Sequence, residues 1–188
     1  MKNFIKDISG YVIIIVVVVL IRSFVVTPVR VDGPSMNDTL KDSDLLLLNK
    51  LSYKVGSIKR YDVVVIENNG EKIIKRVYGL PGDSIEYNNN KLYINGEAVE
   101  DKYASNQTDN FNLKDICIAG LRKVRIITDI DIENNCNYNT IPEDYYVVLG
   151  DNRKVSADSR YYGLISKDKI IGKTRIRFWP LNKIGIIE

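Results

Sequence analysis

The chain contains no histidine. Ser-His-Asp chemistry, a Cys–His nucleophile and any Cys/His zinc site are therefore excluded. Cysteine is scarce as well, with Cys117 and Cys136 the only two. They close a loop of about 20 residues, which fits a disulfide worth roughly 3 kcal/mol outside the cell and equally fits two free thiols. The body of the chain also lacks net charge. Residues 1–30 carry Lys2, Lys6, Arg22 and Arg30 against Asp7, which accounts for the whole formal charge of +3. Phosphate binding depends on a net positive surface, so no nucleic-acid face is signalled. Beyond residue 30 there is no internal repeat and no sustained helical period.

What the sequence does have begins with "ISGYVIIIVVVVLIRSFVV". The uncharged run Ile8–Ile21 is short for a bilayer, which takes about 20 residues. Arg22 interrupts it, but an arginine near the end of a span can snorkel to the headgroups, and Ser23–Val29 is again uncharged. A buried strand also suits Ile and Val. A removable signal peptide lacks its small-residue cleavage site here. The expectation is a single transmembrane anchor over 8–27. Lys2 and Lys6 place residues 1–7 in the cytoplasm, although Arg22 and Arg30 pull the other way. Residues 28–188 then form one extracytoplasmic domain, a size that 45% hydrophobic content can support with a core.

That domain reads as mainly β. "DVVVIENN", "KIIKRVYGL", "SIEYNNNKLYINGEAV", "YYVVLGDN" and "KIIGKTRIRFWPL" are short apolar or alternating runs bounded by turn residues. The Asn-rich turn after Tyr87 and the Asn95-Gly96 pair predict hairpins. Residues 101–140, rich in Asn and Asp, read as a smaller β-rich subdomain inserted into an antiparallel sheet. Period two in "KIIKRVY" puts Lys75 on a face with Ile73 and Val77, and Ile74, Arg76 and Tyr78 on the other. A lysine buried there loses proton affinity and becomes a candidate general base. A lysine at a strand edge, snorkelling to water, satisfies the same phase.

Ser35 stands in the turn-like "VDGPSMNDTL". As a nucleophile it needs a base, and with histidine absent that base is a lysine, a carboxylate or an amine terminus. Ser-x-x-Lys fails because Ser35 is followed by Met36, Asn37 and Asp38. Gly-x-Ser-x-Gly fails at Asn37. The partner must be distant in sequence.

At this point the chain closely resembles the type I signal peptidases, membrane-anchored Ser/Lys endopeptidases, in their Gram-positive-like form. The matching pieces stand in the family's order. An apolar run leads into "FVVTPVRVDGPSM"; "RYDVVVI" precedes "IKRVYGLPGDSI"; "GDNRKVSADSRYYGLI" is followed by "GKTRIRFWPLNKIG". Together they span most of residues 15–185, the presumed insert apart. The resemblance implies removal of signal peptides from secretory preproteins at the outer membrane surface, with small residues favoured one and three positions before the cut, and neither metal nor cofactor. It implies Ser35 as nucleophile and Lys75 as base. Ser156 orients the lysine, while Arg76, Asp151, Asp158 and Arg160 brace the site. Val29, Val31, Met36, Leu40 and Ile74 line the substrate pockets, unless they are ordinary core. The Ser35 amide is the first oxyanion donor. Where some members carry a serine as second donor this chain has Gly33, so that donor is open. The family usually has Asn at Val155 and Pro at Asp38. A non-catalytic, membrane-anchored β module that binds secretory proteins is the competing reading, and it has no use for the dyad.

Overall fold

The structure, a computed structural model, describes residues 11–16, 25–68, 70–123 and 136–187. Chain order runs through helical residues 11–16 (α1), then β1 (Val26–Arg30), β2 (Leu45–Asn49), the single turn α2 (Ser52–Val55), β3 (Val63–Asn68) and β4 (Glu71–Gly79). It continues with β5 (Ile85–Asn88), β6 (Lys91–Ile94), β7 (Glu97–Val99), β8 (Phe111–Asn112) and α3 (Leu113–Lys123). Last come β9 (Tyr145–Leu149), α4 (Ser159–Tyr162), β10 (Ile165–Ser166), β11 (Ile170–Trp179) and β12 (Gly185–Ile186).

The strands form two sheets, and each described pairing is antiparallel. The larger has the order β1-β2-β11-β3-β4-β9-β10, with β12 on β11; the smaller has the order β7-β6-β5-β8. β3 explains why the larger sheet carries apolar layers on both faces. Its run Val63–Ile66 is fully apolar and buried throughout, as a strand covered on both sides must be. Val63 and Val65 join one core cluster with Ile74, Leu46 and Leu48. Val64 and Ile66 join another with Val77 and Val148. β5 instead alternates Ile85 and Tyr87 inward with Glu86 and Asn88 outward, feeding a third cluster with Leu92, Phe111 and Ile116. Its two turns are those expected from sequence. Asn89 and Asn90 close β5–β6, and Asn95 and Gly96 close β6–β7, all with positive φ, as the tight primed hairpin turns require.

Three expectations need correcting. The smaller sheet begins at Ile85, upstream of the 101–140 range. The second is α3, a helix where none was expected. Leu113, Ile116 and Cys117 form its buried stripe, at the i, i+3, i+4 spacing of a helix face. Its N-terminus is closed reciprocally: the Asn112 amide donates to Asp115 Oδ2 (2.9 Å), and the Asp115 amide to Asn112 Oδ1 (3.1 Å), a short-chain version of a capping box. Asn and Asp had suggested loop, whereas here they start a helix. The third concerns the anchor. Its end at 27 runs into β1, which already begins at Val26 among β-branched residues. Residues 11–16 are helical, with exposed side chains. The rest of the expected anchor up to residue 24, and the expected cytoplasmic residues 1–7, lie outside the described residues. Among the described residues no helix is long and apolar enough to cross a membrane.

Cys117 and Cys136 are joined in a disulfide, which resolves the two alternatives left by sequence. It ties α3 to the segment leading into β9. One turn further along, α3 meets the end of α4 through glycine: a Cβ on Gly163 would stand 2.5 Å from Gly120 Cα. The disulfide thereby braces the segment that carries Asp158 and Arg160.

Candidate active site

The loop after β1 presents Ser35. Val31 and Asp44 hold its base through two backbone bonds, Val31 N–H to Asp44 O (2.8 Å) and Ser43 N–H to Val31 O (2.9 Å). Gly33, at φ +80°, donates its amide to Asp42 Oδ1 (2.9 Å). From the other side the Asn152 amide donates to Ser35 O (3.1 Å), joining this loop to the one after β9. Gly150 lets the two loops meet. A Cβ there would lie 2.5 Å from Ser35 O and 2.2 Å from Ser156 Oγ, so only glycine fits.

Lys75 sits on β4, an interior strand between β3 and β9, and pairs opposite Val64. The strand-edge reading of its phase is thus ruled out. Its side chain is 4% exposed, and its Nζ donates to Ser35 Oγ at 2.7 Å. The two residues, forty positions apart in the chain, are brought together where the side chain from β4 meets the loop after β1. Burial is the main influence on Lys75 and lowers its pKa from 10.5 to about 8, because an ammonium loses hydration there. Asp158 and then Asp151 pull it back up, and Arg160 pushes it slightly further down.

Those charges are themselves fixed. Asp158 is fully buried and accepts from the Gly150 amide (3.0 Å) and from Arg160 Nε and Nη2 (both 2.8 Å). Arg76 and Asp151, both completely buried, form a two-point pair through Nε to Oδ1 (3.0 Å) and Nη2 to Oδ2 (2.8 Å). A buried fork of this kind fixes geometry as well as charge. Sequence reasoning missed the residues that complete it. Thr39 donates to Asp151 Oδ2, and Arg76 lies 3.6 Å over the Tyr103 ring. Arg153 makes a second buried pair with Asp101, which also accepts from Tyr78 (2.8 Å). Arg153 lies inside the "GDNRKVSADSR" stretch and Thr39 inside "VDGPSMNDTL", so both were in view; nothing in the sequence marked Tyr103 or Asp101.

Other expected residues stand differently. Ser156 does not hydrogen-bond Lys75. Its Oγ is buried without a partner, packed against Gly150, while the bond from Lys75 goes to Ser35. Val29, Val31, Met36, Leu40 and Ile74 do assemble, in a single core cluster. Met36 at 1% and Leu40 at 0% have no surface to offer a ligand, whereas Val29 at 7% and Ile74 at 6% reach its rim. Gly33 brings no side chain to the nucleophile. The Ser35 amide, for its part, has no acceptor among the described residues.

The chain has relatives among known proteins. The family model described as "Signal peptidase, peptidase S26" matches residues 3–179. Signal peptidase IB of Staphylococcus aureus is 39% identical over 187 residues, covering 97% of this chain and 93% of the relative. Signal peptidase I of Bacillus caldolyticus is 38% identical over 170 residues, covering 90% and 88%. Among solved structures, a signal peptidase I from Enterococcus faecalis V583 matches at 30% identity, with 62% of this chain and 96% of that chain covered and a TM-score of 0.47.

Proposed function

The chain belongs to the S26 family of signal peptidases and is a serine endopeptidase of that family, and we propose that it cuts signal peptides from secretory preproteins with Ser35 as nucleophile and Lys75 as general base. The observation that supports this assignment is the 2.7 Å contact between Lys75 Nζ and Ser35 Oγ at a lysine stripped of water. In its neutral form Lys75 accepts the Oγ proton while Oγ attacks the scissile carbonyl. The tetrahedral oxyanion collects the free Ser35 N–H. The ammonium then gives its proton to the leaving amine, and an acyl group stays on Ser35. Neutral Lys75 next takes a proton from water, which attacks the ester; the ammonium returns that proton to Ser35 Oγ as the ester bond breaks, releasing the new carboxyl terminus of the signal peptide and restoring the dyad. Arg76–Asp151 and Asp158–Arg160 hold the two loops in register, and Asp158 keeps the lysine from losing still more proton affinity.

The substrate lies as an extended strand along β1, the terminal strand of the larger sheet among the described residues, in the manner of strand addition. Val29 and Ile74, at the rim of the apolar cluster, meet the small side chains before the cut. The apolar segment upstream of β1 anchors the chain with its catalytic domain outside the cytoplasm. The Cys117–Cys136 disulfide suits such an oxidising compartment.

The test is a pH–rate profile for preprotein cleavage by the full chain in detergent micelles. The active base is the unprotonated lysine, so kcat/KM is expected to rise about tenfold per pH unit from pH 5 and to level off near pH 8, where Lys75 titrates. A profile flat down to pH 5 would rule out a lysine base. Resistance of the chain to alkaline carbonate extraction from membranes tests the anchor separately.

A further inference from the structure

One cavity among the described residues has neither Ser35 nor Lys75 in its lining. It is a basin of about 510 Å³ lined by Lys59, Arg60, Lys173, Arg175 and Thr174, with Asp62 at its wall. Four cations against one carboxylate make a local concentration of positive charge in a domain that is neutral as a whole. The carboxylate is fully engaged: Asp62 accepts from Tyr53 Oη (2.9 Å), from the Lys59 amide (3.1 Å) and from Lys173 Nζ. Arg60 is committed to Asp83 and to Tyr78 O. Three donors remain without an acceptor among the described residues: the Lys59 ammonium, the Arg175 guanidinium and the Thr174 hydroxyl. Thr174 is only 1% exposed, yet its Oγ1 has no partner, and an unpaired buried polar atom calls for an explanation.

A second, smaller cavity of about 240 Å³ adjoins the basin and shares Asn49, Ser52, Lys173 and Arg175 with it. Its own walls are apolar: Val26, Leu47 and Ile176. Val26 opens β1, directly after the apolar N-terminal run. A charged basin that demands an anion is thus continuous with a slot that demands hydrocarbon.

We infer that this pair of cavities binds the phosphate of an anionic phospholipid, with the headgroup against Lys59 and Arg175 and the first part of an acyl chain against Val26, Leu47 and Ile176. Guanidinium and ammonium donors suit phosphate oxygens. The apolar slot distinguishes a lipid from free phosphate and from an acidic peptide. The inference rests on the anchored reading of the N-terminal segment, which puts Val26 near the bilayer surface.

The experiment is native mass spectrometry of the full chain released from mixed micelles of dioleoylphosphatidylglycerol and dioleoylphosphatidylcholine, with parallel titrations of inorganic phosphate and polyglutamate. The parent is expected to retain the anionic lipid over the zwitterionic one by about tenfold, and Lys59→Gln/Arg175→Gln to bring the ratio near one, on the scale set by losing two cations near an anionic headgroup. Retained preprotein cleavage by that double variant shows that it is folded. Ser35→Ala should keep the full preference, which separates the site from the catalytic assignment. An equal response to both lipids, a preference that survives the double substitution, or binding of phosphate or polyglutamate without retained lipid overturns the inference. A chain that carbonate extracts but that still selects the anionic lipid overturns the anchor and leaves the site standing.

Discussion

Ser35→Ala is expected to lower preprotein cleavage on the order of 10⁶-fold and Lys75→Ala on the order of 10⁴-fold, the scales for removing a nucleophile and its base from a unit that acts together. No neighbour can stand in. The chain has no histidine, Arg76 and Arg160 are occupied by Asp151 and Asp158, and a guanidinium stays protonated at any working pH. Lys75→Arg should therefore fail as completely as Lys75→Ala. The double variant should be no worse than Ser35→Ala alone, because a base without a nucleophile has nothing to deprotonate. Single-turnover cleavage of a preprotein, with circular dichroism as the check on folding, measures all four. Activity within tenfold of the parent in either single variant would remove the dyad from the mechanism.

How much of this could be read beforehand differs by residue, for physical reasons. The hairpin turns were legible because Asn and Gly are among the few residues that accept positive φ. The candidacy of Lys75 was legible from strand phase, since period two is local. Its burial was not, because that depends on β9 pairing beyond β4, a contact between distant segments. The same holds for Arg76–Asp151, two charges seventy-five positions apart that look solvated in sequence and lie in full desolvation in the fold. α3 was misread because Asn112 and Asp115 carry the same propensity for a turn and for a helix start; the choice between them was made by the apolar stripe behind them and by Cys117. Ser156 shows the opposite limit. The motif placed it beside the nucleophile loop, where it lies, but a hydroxyl's partner is set by a fraction of an ångström that no motif encodes. Met36 and Leu40 share a cluster with Val29 and Ile74 but lie on its inner side, since an apolar residue looks the same to a sequence whether it faces substrate or core.

The burial that makes Lys75 a base should also make it a liability for folding, so Lys75→Met is expected to stabilise the chain while abolishing cleavage. In the unfolded chain the amine titrates at the ordinary 10.5, and in the folded chain at about 8. Below pH 8 both states hold the proton, but the folded one holds it against desolvation, a penalty of about 3 kcal/mol. Between pH 8 and 10.5 the unfolded state binds a proton that the folded state does not. The parent therefore gains stability as pH rises through that window, and the penalty is gone above it. Methionine fills a similar volume with no charge to desolvate. It forfeits the Ser35 hydrogen bond, about 1 kcal/mol, which leaves a net gain of about 2 kcal/mol at pH 7. Asp158 and Asp151 keep their arginine partners, so no carboxylate is orphaned by the change. Urea unfolding of parent and variant at pH 7 and at pH 10 measures both halves: a higher midpoint for the variant at pH 7, and a smaller gap at pH 10. A variant less stable than the parent at pH 7, or a gap that widens with pH, would mean that Lys75 is bound in the fold by interactions that outweigh its lost hydration. Such a lysine would be held as a cation rather than kept ready to take a proton from Ser35.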